Sequence, residues 1–475
     1  MHSTTFSTLV AAIADYFYLA LKATEDFDSF CRTAREGMRE AAVAALAECV
    51  ERFDLEVASQ VPRTWKLRGK PSRTVITMLG KVTYSRRLYR DEHGRNRYPT
   101  DEILGVPKRR RLTSDVFLWL VTRAARVSYR RTAADFAEVS GVGVSAMCPW
   151  RAVQQEGELI RSRLGSSPSR GISQADVFAE CDGIYVAMQS PERRAEAIGR
   201  FFYEQSRSKR SVELKVGCVY AGKRMVGKRG TRGNVALFAT VGTADEMRAG
   251  MRATVAADYD LSDIECMHYA SDAGGWCLSS GLEGIGGSYE QGLDLYHVMR
   301  HVHRAFPEGS GREHLVSLAL RRRPEAFAAA VDRMMPLVCD AGRREKMREC
   351  RDYVAGHAEL LRGGGSLGTM EGTNAYVWAK RMKSFGCSWS RRGAGNMALV
   401  LCRVCASREL ELPPKGAFFT ASELGKAAES LARKGAEAAR QLATGKGWEP
   451  PSASFPLEKA PGVYAPAAFL DKYVR

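Results

Sequence analysis

The chain has 475 residues, 45% of them hydrophobic, and a formal net charge of +17. It is too long for one compact domain and apolar enough to bury proper cores. Its apolar runs, such as Val116 to Thr122, are too short to span a bilayer, and Asp15 interrupts the apolar stretch from Leu9 with no basic residue ahead of it. No membrane partner and no signal peptide are therefore expected, and the cytoplasm is the expected compartment.

Residues 1–61 read as a helical arm: Phe27 to Val57 carries apolar residues at helical spacing and is rich in alanine. Residues 62–111 change character. Thr74 to Met78 and Lys81 to Ser85 alternate and are β-branched, with Gly80 at the turn, so they predict a hairpin. Arg86, Arg87, Arg90, Arg95, Arg97 and the run Lys108, Arg109, Arg110, Arg111 decorate it, with Tyr84, Tyr89 and Tyr98 interleaved. Such a unit suits a phosphate backbone, and it equally describes an edge hairpin kept soluble by arginine.

Residues 112–170 predict a helix-turn-helix. Thr132 to Val139 is a short amphipathic helix, Ser140 to Val144 the turn, and Ser145 the N-cap of a second helix that carries Arg151. Between Arg63 and Arg170 there are 23 Lys and Arg against 9 Asp and Glu, a net of +14. Charge so confined is the footprint of a polyanion binder, although a solvated basic surface would look the same. Gly165 to Ile172 reads as a linker.

From residue 171 strands and helices mix. Val177 to Val186, Val212 to Tyr220, Val235 to Val241 and Cys266 to Ala270 are strand candidates, and 298–365 is helical with a break at Arg321 to Pro324. Residues 366–445 contain a helix opened by Glu371 and a helical stretch at 420–443. The tail, 446–475, is Pro-rich and expected to be extended. Twelve scattered cysteines among apolar neighbours read as reduced thiols rather than a disulfide framework, and the pair Cys402 and Cys405 lacks the further ligands that zinc needs.

Three acids stand where elements end near glycine: Asp182 in Glu-Cys-Asp-Gly, Asp272 in Ser-Asp-Ala-Gly-Gly-Trp, and Glu371 in Thr-Met-Glu-Gly-Thr-Asn. An acid on an apolar strand is costly to bury unless it is paired or binds a cation. Hard divalent ions take such oxygen ligands, and two of them can activate a water or a 3′-hydroxyl at a phosphodiester. Among 54 acids, spacing alone does not single out this trio.

The local sequences carry more. Gly368 to Ala394, with its acid followed by Arg-Met-Lys, Gly, Trp-Ser and Gly-Ala, resembles the ISLre-type bacterial insertion-sequence transposases. These were formerly an uncharacterised protein family and are allied in pattern to the mutator-like DDE transposases. Leu293-Asp-Leu-Tyr-His297 is similar to the family's Leu-Asp-x-x-His element. Thr77 to Val82, Arg86 to Tyr89 and Tyr98 to Gly105 are similar to its N-terminal signature. The resemblance covers roughly residues 70–405. One departure is Ser271-Asp-Ala-Gly-Gly, where the family pattern has Gly-Asp-Gly before the tryptophan.

The resemblance implies an α/β fold with an RNase H-like mixed-sheet core in two parts, 171–297 and 366–445, around an all-helical insertion at 298–365. Asp182 would lie on the first strand, Asp272 after the fourth and Glu371 on a late helix. They would hold two Mg2+ ions, with Mn2+ able to substitute. His297, in the element with Asp294, would position the scissile phosphate or steady the transition state, or else form a structural hydrogen bond with Asp294. Trp276 and Trp389 would stack on a base or pack in the core. On the Glu371 helix, Ala375, Trp378 and Met382 share one face, leaving Lys380, Arg381 and Lys383 to DNA or to solvent. The activity implied is Mg2+-dependent DNA cleavage and strand transfer in the bacterial cytoplasm, at the nucleoid. The partners would be terminal inverted repeats and target DNA, gripped by a homodimer or higher oligomer. An inactive, co-opted DNA-binding protein, a structure-specific nuclease and an RNA-binding protein are the rival readings.

Overall fold

A computed structural model describes residues 2–166, 169–189, 211–226, 229–363, 368–384, 386–408 and 410. The expected helix at 420–443 and the Pro-rich tail lie outside the described residues. The chain divides into two compact units, one of Met1–Arg73 and Val82–Arg109, the other of Thr74–Lys81 and Arg110–Pro414.

In the first unit, α1 (His2–Lys22) and α2 (Phe27–Ala58) are the expected helices. Asp26 caps α2 by accepting from Ser29 N at 2.7 Å. The strands β1 (Lys66–Gly69), β4 (Leu88–Arg90) and β5 (Asn96–Arg97) pair antiparallel, and α3 spans Pro99–Ile103. The predicted hairpin is present as β2 (Ser72–Thr77) and β3 (Gly80–Ser85). Three buried aspartates organise the basic residues here. Asp101 accepts from Tyr84 Oη, Arg73 Nη1 and Arg86 Nε, and Asp54 accepts from Thr100 and Arg87. Asp91 accepts from Arg95.

The second unit begins with three packed helices, α4 (Ser114–Ala124), α5 (Tyr129–Ser140) and α6 (Met147–Ser162). Gly141 closes α5 in the left-handed conformation, at φ +68°, the role glycine fills at a helix C-terminus. The two helices and the turn fall where the sequence predicts them, but α6 starts two residues later than Ser145. Ala146 precedes its first turn, which takes no side-chain cap.

The central sheet has five strands in the order β10-β7-β6-β11-β12: β6 (Asp176–Ala187), β7 (Ser211–Tyr220), β10 (Ala236–Thr240), β11 (Cys266–Ser271) and β12 (Ser288–Leu293). β10, β7 and β6 run antiparallel, whereas β6, β11 and β12 run parallel. A two-stranded ribbon, β8 (Lys223–Val226) with β9 (Arg229–Arg232), lies between β7 and β10 in sequence. The helix α7 (Ala244–Asp258) packs on β7 and β10, and α15 (Arg391–Cys405) packs on β10 and α6. That last crossing is close: a Cβ at Gly157 would sit 2.5 Å from Asn396 Cβ, and Asn396 donates to Gln154 while accepting from Arg161. Cys402 is buried on α15, as a packed helix requires.

After β12 come the expected helices, α8 (Leu295–Ala305), α9 (Ser310–Leu320), α10 (Pro324–Met334), α11 (Ala341–Gly356) and α12 (Ala358–Arg362). Phe327, Val302, Leu315, Met347 and Val354 give them a hydrophobic core of their own. A last helical passage follows, α13 (Met370–Thr373), a π-helical segment Asn374–Ala379, and α14 (Lys380–Met382). Among the described residues no helix is long and apolar enough to cross a membrane.

Candidate metal centre

Strand alternation puts Glu180 and Asp182 on one face of β6 and Cys181 on the other. The two acids take different partners. Glu180, 1% exposed, accepts from Tyr220 Oη at 2.7 Å, from Thr369 N at 2.9 Å and Met370 N at 3.1 Å, and from the Thr369 hydroxyl. It thus caps the start of α13 with a carboxylate, satisfying backbone donors that would otherwise be orphaned at a helix N-terminus. Glu371 is the next residue. A side chain 190 positions upstream therefore fixes the entry of the helix that carries the third expected acid.

Asp182 accepts from Gly183 N at 2.7 Å through Oδ1 and from Asn374 Nδ2 at 2.6 Å through Oδ2. Gly183 has a steric reason to lack a side chain, since a Cβ there would meet Glu213 Oε1 at 2.5 Å. Asp272 follows the last residue of β11 directly, and its Oδ1 accepts from Gly274 N at 2.9 Å. Between them Ala273 adopts φ +57°. That is a left-handed conformation an alanine adopts only at a cost of about 1–2 kcal/mol, at the position where the family pattern has glycine.

Asp294 follows β12 and is the N-cap of α8, accepting from Tyr296 N at 3.0 Å. His297 then falls in the first turn, where a helical side chain leans back toward the N-terminus and the strand ends. The observed bond of Asp294 is this cap, so it orients His297 through the helix. The imidazole itself joins the two aspartates: ligand atoms of Asp182, Asp272 and His297 all lie within 4.8 Å of one another. Glu371 stands outside that group of three, exposed on α13, yet close enough for its charge to be felt at Asp182. Burial pushes the Asp182 carboxyl up to about 6, with Asp272 and Glu371 adding to the rise while Gly183 N–H and His297 oppose it.

The donor set fits a hard cation. Two carboxylates converge, and Asn374 Oδ1 is buried beside them with no hydrogen-bond partner, an acceptor that a hydrated ion would satisfy. Asp182, Asp272 and His297 are the groups placed to hold a metal ion, with Glu371 nearby on α13.

The remaining expected residues separate into two groups. Lys108, Arg109, Arg111, Ser145, Arg151, Lys380 and Lys383 are exposed. Arg86, Arg87, Arg381 and Trp389 are committed to structure instead. Arg86 is 7% exposed, bonded to Asp101 and Pro71 O and stacked on Tyr98, and Arg87 is paired with Asp54. Arg381 is buried, donating to Ala124 O at 2.7 Å and lying over Tyr129 and Trp389. Its placement departs from the expected helix face because that face runs through Glu371, which is exposed; the buried stripe is 374, 377, 378, 381 and 382, spaced i, i+3, i+4, i+7 and i+8 as on an amphipathic helix. Ala375 is accordingly exposed. Trp389 is buried and donates to Met382 O, so it packs rather than stacks on a base. Arg110 lies over Phe117, and Trp276 is half-buried, donating to Glu213 with Lys215 above its ring.

Residues 24–409 match the family described as Uncharacterised protein family (UPF0236). The chain belongs to that family. Among its UPF0236 relatives is the UPF0236 protein in vanSb 3′region of Streptococcus gallolyticus, 23% identical over 379 residues, which cover 77% of this chain and 80% of that one. The UPF0236 match takes in the candidate centre, the hairpin, α4–α6 and the helical block. Glu180 and Asn374 were not singled out from sequence. Glu180 was signalled by its i, i+2 relation to Asp182 on a strand, and Asn374 by no local motif.

Proposed function

We propose that this protein is a DDE transposase: it cleaves DNA at the ends of an insertion sequence and joins the freed 3′-hydroxyl to a target, with Mg2+ held by Asp182, Asp272 and Glu371. The observation that carries the proposal is the convergence of Asp182, Asp272 and His297 within 4.8 Å, with the charge of Glu371 acting on Asp182. The topology supports an RNase H-like core. In chain order Asp182 lies on the first strand of the five-stranded sheet and Asp272 follows the fourth, and Glu371 opens a helix after the fifth. The acids thus lie toward the carboxyl ends of adjacent parallel strands, where open α/β sheets bind ligands.

Bound there, magnesium supplies the Lewis acidity that activates the attacking oxygen and stabilises the leaving one. The protein's own groups do the rest. Asn374 and Gly183 hold the Asp182 oxygens in place, Glu180 holds α13, and His297, set by the Asp294 cap, reaches the position of a scissile phosphate. Along the exposed face of α6, Met147, Arg151 and Gln155 recur every fourth residue, as a groove-reading helix requires.

Purified protein with Mg2+ and labelled duplex from the DNA flanking its gene should release a 3′-hydroxyl end and transfer it to a second duplex. Cleavage of branched DNA without transfer would make it a nuclease, and binding without cleavage a co-opted DNA-binding protein. The arginines sort the same way. Arg151→Ala should weaken DNA binding and reduce the slope of log affinity against log salt by about 1, as loss of one phosphate contact does. Arg381→Ala should lower the melting temperature and leave that slope unchanged.

A further inference from the structure

A second cluster of ligating groups sits at the other end of the same strands. Asp176 opens β6, Cys266 opens β11, and the two are directly opposite in the parallel register. His268 lies two residues along β11 on the same face, with Glu290 of β12 opposite it. Three adjacent strands thus bring an acid, a thiol, an imidazole and a second acid to one edge. From Asp176 to Asp182 is six strand residues, so the cluster is about 20 Å from the catalytic acid on β6.

The geometry is that of a coordination site. Ligand atoms of Asp176, Cys266 and His268 lie within 4.8 Å of one another. The imidazole is stacked on Phe178, with ring centroids 4.6 Å apart and planes 11° from parallel, which fixes its plane. His268 Nε2 is 3.0 Å from Asp176 Oδ1, and Nδ1 is 3.1 Å from Glu290 Oε2. An ion on Nε2 beside Asp176 would leave Nδ1 with Glu290, and a ligating histidine is ordinarily oriented by such a partner.

We propose that Asp176, Cys266 and His268, oriented by Glu290 and Phe178, form a binding site for a zinc-class divalent ion. The thiol separates it from the proposed catalytic centre. Thiolate beside imidazole selects a borderline-soft ion such as Zn2+, whereas the Asp182 group offers two carboxylates and an imidazole and no thiol. Binding displaces the Cys266 thiol proton to solvent and ties the amino ends of β6 and β11 together. The site does not depend on the transposase reading.

Titration of the metal-free full chain with Co2+, the spectroscopic stand-in for Zn2+, tests it. The expected result is a thiolate-to-cobalt charge-transfer band that saturates at one equivalent, is displaced by Zn2+, and is lost in both Cys266→Ser and His268→Gln. Far-ultraviolet circular dichroism would show that each variant is folded. Absence of the band in the unsubstituted protein would overturn the proposal whether or not the variants fold. Persistence of the band in folded Cys266→Ser would overturn it as well.

Discussion

Asp182→Asn and Asp272→Asn should each lower the rate of DNA cleavage by about 10³-fold, because removing a metal-holding carboxylate forfeits several kcal/mol of transition-state stabilisation at about 1.4 kcal/mol per tenfold. On the proposed reading, affinity for the same duplex at fixed salt should be little changed, since most phosphate contacts would come from basic residues outside this group. Asp182→Asn should also leave the fold intact. Burial raises the Asp182 carboxyl from an ordinary 3.8 to about 6, so ionising it opposes folding. The native state binds that proton more tightly than the unfolded chain does, and stability from this group falls as pH rises through that interval. In metal-free protein the variant should melt no lower than the parent at pH 4. It should melt higher above pH 6, where the parent carries the full cost of a buried charge. A variant that loses cleavage only because it unfolds would show the opposite trend.

Glu180→Ala should do the reverse. The carboxylate is buried and serves Tyr220 Oη, Thr369 N and Met370 N as well as the Thr369 hydroxyl. Stranding these four donors at about 1–3 kcal/mol each predicts a loss of about 4 kcal/mol or more in denaturant unfolding. Because the same bonds seat α13, cleavage should fall too, and Glu180→Gln, which keeps an acceptor, should recover part of both. If Glu180→Ala melts like the parent, the helix carrying Glu371 is not held from β6.

How far the sequence could be read followed the kind of signal. Alternating β-branched runs gave away β6, β7, β10 and β11, and the helical block after His297 was plain from its period. β12 was missed because Ser288-Tyr-Glu-Gln-Gly-Leu is a polar edge strand with one glycine, held by parallel pairing rather than by propensity. At the site, the three acids stood out from local motifs, but the distance-defined group is Asp182, Asp272 and His297. The imidazole's place depends on where Asp294 starts a helix, which a D-x-x-H spacing hints at and only packing fixes. Arg381 was misplaced because the expected buried face is that of Glu371, which is exposed, whereas the buried stripe runs through Asn374, Val377, Trp378, Arg381 and Met382. The basic hairpin was overread for a related reason. Net charge treats Arg86 and Arg87 as available, although Asp101 and Asp54 hold them in ion pairs within the fold.

The most direct test of the account is anomalous diffraction from crystals soaked in Mn2+, the ion that best reports a magnesium site. It predicts a peak at about 2.0–2.3 Å from carboxylate oxygens of both Asp182 and Asp272, with Glu371 turned toward it. A well-ordered map with no peak between those two aspartates, or with manganese bound only elsewhere, would contradict it.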